Sequence, residues 1–194
     1  MLKTMRASLL LAALGAFGVA LVACSGGVAT TIDQPQEKGE ITSPTSGLKI
    51  TASIAAVSLG DECGGNSCQN TNVQLAFDAT TGTNPAVIRV ISATLVDSAD
   101  GSAVDTLTVS TPQVWNGNGY VAWDQNVKPG GDLKASYDLT SPAWSKIDGN
   151  GTGSRLSGSG SYSRKFKLNL KLEIDGVQVI LQSTDLNRMP QSAT

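Results

Sequence analysis

The sequence predicts an all-β domain, a sandwich of about seven to eight antiparallel strands, and three observations carry that prediction. First, Phe166, Leu168, Leu170, Leu172 and Ile174 alternate with Lys165, Lys167, Asn169, Lys171 and Glu173, and a strict period of two marks a strand with one face buried. Second, Asp175-Gly176 forms a two-residue turn into Val177-Gln178-Val179-Ile180-Leu181; such turns take the positive dihedrals that suit a hairpin's twist. Third, strand-like runs at 48–59, 72–77, 87–96, 104–109, 114–123 and 133–139 are punctuated by turn formers at 97–101, 116–119 and 129–131, as expected of a sandwich or barrel. No convincing helix is expected beyond residue 24.

The N-terminal residues are of another kind. Lys3 and Arg6 precede an apolar run from Ala7 to Ala23, which closes as Leu21-Val22-Ala23-Cys24 before Ser25-Gly26-Gly27. A basic start, a short apolar stretch and small residues at its end describe an export signal. The tetrapeptide Leu21, Val22, Ala23, Cys24 resembles the lipobox of bacterial lipoproteins, a resemblance confined to residues 1–24. It implies cleavage before Cys24, diacylglycerol on the Cys24 sulfur and acylation of the new amino terminus. The implied address is the bacterial cell envelope, with the membrane as a partner through the lipid anchor. Two or more acyl chains anchor stably where one does not. Ser25 after the cysteine resembles lipoproteins sent on to the outer membrane. The alternative is a spanning helix, but 17 residues is at the short end of the spanning range, and glycine, alanine and the following polar stretch argue against it.

Removing Lys3 and Arg6 from the chain's net charge of −2 leaves −4. Residues 25–46 are rich in Gly, Thr, Ser, Pro and Gln without apolar periodicity, so they are expected to form a flexible tether averaging roughly 25 Å end to end. The expected organisation is a signal peptide at 1–23, a tether from the lipidated cysteine over 24–46, and a β domain at 47–194.

With Cys24 lipidated, Cys63 and Cys68 remain as a pair around Gly64-Gly65-Asn66. In an exported chain such a pair reads as a disulfide, which for so small a loop contributes only about 2 kcal/mol. The rival is a metal clip in which both thiolates act with Asp61 or Glu62; an oxidising compartment favours the disulfide.

Lys128-Pro129-Gly130-Gly131 running into Asp132-Leu133-Lys134-Ala135-Ser136-Tyr137-Asp138-Leu139 resembles the late-strand region of immunoglobulin-like domains. The resemblance implies an immunoglobulin-like sandwich with Tyr137 as corner tyrosine, and it lacks the Cys…Trp…Cys spacing of true immunoglobulin domains.

The chain has no histidine, which removes Ser-His and Cys-His catalysis and His-ligated zinc. Near-neutral charge argues against nucleic acid, whose affinity comes from neutralised phosphates. Carboxylates are the remaining acid/base groups; Asp97, Asp100 and Asp105 cluster around one hairpin, and a glycosidase needs two across a cleft. Asp97 and Asp100 also read as turn formers. Asp148-Gly149-Asn150-Gly151-Thr152-Gly153 begins like a calcium loop but has Ser159 where a bidentate glutamate belongs, so a Gly/Ser-rich connector over 148–163 is expected and neither metal nor cofactor is.

Arg155, Arg164, Lys165, Lys167 and Lys171 form a basic cluster that would suit anionic lipid, though an outward lysine face also guards an exposed strand against edge pairing. Of three tryptophans, Trp123 fits a core position by strand parity. Trp115 and Trp144, beside turns or Pro142, are the expected exposed pair for stacking on a ligand. The expected function is a non-catalytic interaction module presented to an envelope protein or glycan, with a carboxylate hydrolase or a metal-binding module as alternatives.

Overall fold

The lysine–leucine alternation at 165–174 lies at the heart of one of two packed β-sheets. The computed structural model describes residues 32–61, 70–149 and 160–188. Its strands are β1 Ile32–Gln36, β2 Lys38–Thr42, β3 Lys49–Ser58, β4 Thr71–Thr81, β5 Ala86–Asp97, β6 Ala103–Leu107, β7 Gln113–Trp115, β8 Tyr120–Ala122, β9 Asn126–Val127, β10 Asp132–Leu139, β11 Lys165–Ile174, β12 Val177–Gln182 and β13 Leu186–Asn187. A single helical turn, α1, spans Trp144–Ile147, and a 3₁₀ turn spans Gly160–Ser163. The first sheet runs β1-β12-β11-β5-β6, with β13 added to β11 and β9 to β5; the second runs β2-β3-β4-β10-β7-β8.

The core follows from strand parity. In β11 every second side chain, from Phe166 to Ile174, is buried. In β4, Val73, Leu75, Phe77 and Ala79 face the same interior. Asp175 (φ 47°) and Gly176 (φ 87°) make the left-handed turn that brings β12 back along β11, Ile174 opposite Val177. The Asp175 carboxylate also accepts the Val87 N–H at 2.9 Å and the Ser43 hydroxyl. One turn thereby joins the two sheets at one end of the sandwich, the lower pole. The upper pole carries 59–61, 97–102, 140–149 and 183–188.

An all-β sandwich is thus what the chain forms, and several details differ from expectation. The described residues contain thirteen strands, many of them short, and β1 pairs with β12 in parallel. The tether expected over 24–46 is corrected: β1 and β2 lie within it, and β2 joins β3 from Lys38 opposite Ser53 to Thr42 opposite Lys49. The hydrophobic count missed β2 because one of its two inward positions is Gly39. A side chain there has no room, since a Cβ would lie 2.8 Å from the Val179 Cγ2. The absence of helix is corrected by α1 and the 3₁₀ turn. β11, expected to need edge protection, is a central strand between β12 and β5. Its outward lysines cover a sheet face instead.

The tyrosine-corner expectation also fails in its chemistry. Tyr137 is buried at 1 % exposure, but its hydroxyl has no hydrogen-bond partner among the described residues, where a corner tyrosine would bond to backbone. Burial raises its pKa beyond the ordinary tyrosine range.

Candidate functional site

Tryptophan placement separates packing from function. Trp123 is buried against Phe77, ring centroids 5.6 Å apart, and its indole N–H donates to the Asn126 carbonyl at 3.2 Å. Trp144, expected to be exposed, is fully buried, and this corrects its assignment as a stacking residue. The turn of α1 folds it under the upper pole with Leu59, Leu95 and Phe166. Its Nε1–H donates to the Gly60 carbonyl at 2.8 Å, which satisfies the one polar atom its burial removes from water. Trp115 is exposed as expected, at 59 %.

Trp115 does not stand alone. It sits opposite Tyr120 across the β7–β8 hairpin, and the rings meet edge to face at 5.3 Å. Tyr120 is 56 % exposed, and Val121, on the other face of β8, is 41 % exposed. This hairpin ends the second sheet, so among the described residues β8 has one unpaired edge. A contiguous exposed apolar patch on a small domain is often a contact surface, whereas scattered single residues are ordinary.

Beside the pair lies a trough of about 230 Å³ lined by Asn72, Thr111, Gln113, Tyr120, Ser136 and Asp138. Register explains why these residues meet. Asn72 pairs with Asp138, and Ser136 with Gln113, so β4, β10 and β7 present them on one outward face. Asn72 Nδ2 donates to Ser136 Oγ at 3.1 Å and to Asp138 Oδ1 at 3.0 Å, fixing three of the groups relative to one another. The side chains of Thr111 and Gln113 make no hydrogen bond within the described protein. The trough thus offers donors and acceptors beside an aromatic edge. Trp115 was legible in the sequence as a stacking residue, whereas the spacing of the polar residues has meaning only across strands.

The other expected sites resolve into structural roles. Asp97 accepts the Ala99 N–H at 2.8 Å and pairs with Arg164; these two contacts, in that order, hold its carboxyl below the ordinary range. Asp100 is likewise lowered, by Ser102. A general acid needs the opposite shift. Asp105 accepts the Thr106 and Ala143 N–H groups, both at 2.8 Å. In the basic cluster Arg164 belongs to Asp97 and Lys165 reaches Asp185 at 3.4 Å. The larger depression around them, about 550 Å³, is lined by charges that already neutralise one another. Lys167 and Lys171 face outward on β11.

Asp148, the would-be first calcium ligand, is committed elsewhere. Its carboxylate accepts the Ser161 N–H at 2.6 Å, the Ser161 hydroxyl at 3.1 Å and Arg188 Nη1 at 3.0 Å. Arg188 Nη2 reaches Asp61 at 2.8 Å, and its guanidinium lies over Tyr162 (4.1 Å) and Trp144 (4.8 Å). Sequence reasoning missed Arg188 altogether. Among the described residues no group of three or more Cys, Asp or Glu side chains is placed to hold a metal. Cys24 with Leu21, Val22 and Ala23, the pair Cys63 and Cys68, Arg155 and residues 150–159 lie outside the described residues.

The fold and this flank define a β-sandwich with an exposed aromatic hairpin. No family model and no curated protein matches the sequence. Among solved structures, the chain is similar to an uncharacterized β-sandwich protein from Clostridium difficile 630, with 9 % identity, 80 % of this chain and 99 % of that one covered, and a TM-score of 0.39.

Proposed function

We propose that the protein is a cell-envelope lipoprotein, anchored through Cys24, whose β-sandwich is a non-catalytic interaction module for an envelope protein or glycan. The observation that carries the reading is the Trp115–Tyr120 pair, solvent-exposed on a hairpin at the end of the second sheet. Aromatic side chains bring large contact area at low entropic cost, which is why they dominate binding energetics. The address rests on the lipobox resemblance. The described residues contain no helix long and apolar enough to cross a membrane.

Eight residue steps separate Cys24 from Ile32, a span of at most about 29 Å. β1 runs parallel to β12 from Ile32 opposite Val179, so the chain enters from the lower-pole side. A lipid at Cys24 would hold that pole toward the bilayer, and because Val114 pairs with Ala135 in antiparallel the tip of the β7–β8 hairpin points the same way, with Trp115 level with Lys134. The test has two arms on the full chain. Mass spectrometry of the native product is expected to find acylated Cys24 at the amino terminus; an unacylated cysteine behind an intact leader refutes the address. Retention on isolated envelope is expected to fall in Trp115→Ala with folding unchanged; undiminished retention refutes the contact surface.

A further inference from the structure

Resting on that reading of the hairpin, we infer that the occupant of the trough is a neutral glycan chain, laid across the strands from Tyr120 toward Asn72. Four features of the site select this chemistry. The first is shape: the trough crosses β8, β7, β10 and β4, three inter-strand steps or about 14 Å, a length that accepts a short run of sugars rather than a single small molecule.

The second is the division of surface types. A pyranose has an apolar face of C–H groups and an equatorial rim of hydroxyls. Tyr120, braced edge-on by Trp115 at 5.3 Å, supplies a flat apolar platform at one end. Asn72, Thr111, Gln113, Ser136 and Asp138 supply hydrogen-bonding groups along the rest. A hydroxyl both donates and accepts, and it is met by groups of both kinds: the Gln113 carboxamide does both, while the Asn72 carbonyl and the Asp138 carboxylate accept.

The third is charge. Asp138 is the one ionised group in the lining and no cation accompanies it. Phosphorylated or sulfated polymers are therefore repelled, whereas a neutral polyol is accepted. The fourth is preorganisation. The Asn72 carboxamide is fixed by its bonds to Ser136 and Asp138 and needs no reordering when a ligand arrives, while Gln113 and Thr111 keep their side-chain bonding capacity for it. An extended peptide would instead be expected to pair backbone to backbone along the β8 edge, a mode that leaves the trough empty.

The test uses the full chain in detergent against an immobilised panel of neutral hexasaccharides (cellohexaose, xylohexaose, mannohexaose, maltohexaose and chitohexaose), with heparin as the anionic control. A second arm uses isolated envelope before and after proteinase K. Expected are binding to at least one neutral hexasaccharide, none to heparin, and a loss of about tenfold in Gln113→Ala, the size of one good hydrogen bond. Tyr120→Ala is expected to abolish binding. Gln113 is exposed and its side chain makes no hydrogen bond within the described protein, so its variant separates ligand loss from misfolding. Retention on envelope that depends on Trp115 but disappears with proteinase K, with no hexasaccharide bound, overturns the glycan assignment and leaves the interaction module standing. Heparin binding in preference to every neutral sugar also overturns it. No Trp115-dependent retention on either surface overturns both.

Discussion

Arg188 is the position where a single substitution is expected to cost most for its size. Its guanidinium bonds to Asp61 at 2.8 Å, Asp148 at 3.0 Å and the Ser161 hydroxyl at 2.7 Å. The side chains of Arg188, Asp61 and Asp148 are only 10 %, 12 % and 17 % exposed. Arg188→Met keeps most of the aliphatic stem and removes the charge, so the shielded Asp61 and Asp148 carboxylates lose the guanidinium bonds they accept. Breaking such a buried pair costs about 3–5 kcal/mol, and loss of the stacking on Tyr162 and Trp144 adds to that. Residual solvent access to the carboxylates sets the expectation near the lower end, about 3–4 kcal/mol. The matched control is Lys49→Met, whose partner Glu40 is 3.5 Å away with side chains 51 % and 59 % exposed; that change should cost under about 1 kcal/mol. Urea unfolding with unchanged slope measures both. The penalty lies in the shielded carboxylates, so adding Asp61→Asn and Asp148→Asn to Arg188→Met is expected to restore part of the loss. If Arg188→Met costs no more than the Lys49 control, the clamp is not what holds the upper pole together.

Other changes test other links. Tyr137→Phe deletes a buried hydroxyl without a partner, so it should leave stability unchanged or raise it by up to about 1 kcal/mol; a clear loss in denaturant midpoint would mean the hydroxyl is bonded. Gly39→Val should destabilise by about 1–3 kcal/mol, because its Cβ meets Val179 at 2.8 Å; calorimetry reads the fall in Tm. Acid stability should track Asp97 and Asp185. Asp97 is lowered by Ala99 and Arg164, and Asp185 by Ser98 and Lys165. Folding therefore favours their ionised forms, a stabilisation present above the ordinary value of 3.8 and lost as pH falls through the lower folded values. Asp97→Asn should accordingly show a shallower loss of stability on acidification below that value than the parent, as followed by circular dichroism.

Much of the fold was legible because it is written locally. β11, its Asp175-Gly176 turn and β12 declare themselves within eighteen residues through alternation and turn chemistry. β1 and β2 do not, since Gly39 occupies an inward position that hydrophobicity cannot flag and parallel pairing with β12 joins segments far apart in sequence. Trp144 was misplaced for a related reason. Its neighbours are polar and Pro142 lies close by, but its burial depends on Phe166 and on the Gly60 carbonyl, 84 residues away. The Arg188 clamp draws on partners 127 and 40 residues distant, so no spacing along the chain could announce it. At the candidate site the aromatics were visible as residue types, whereas the trough exists only through the register of β4, β10 and β7.

If Trp115 and Tyr120 form the contact surface, envelope shields Trp115 from solvent. Acrylamide quenching of tryptophan emission in the full chain, with and without isolated envelope, tests it most directly, because Trp123 and Trp144 are buried and Trp115 is not. A readily quenched component that envelope protects is expected, and this protected component should vanish in Trp115→Phe. Quenching that envelope leaves unchanged, or protection that persists in Trp115→Phe, would contradict it.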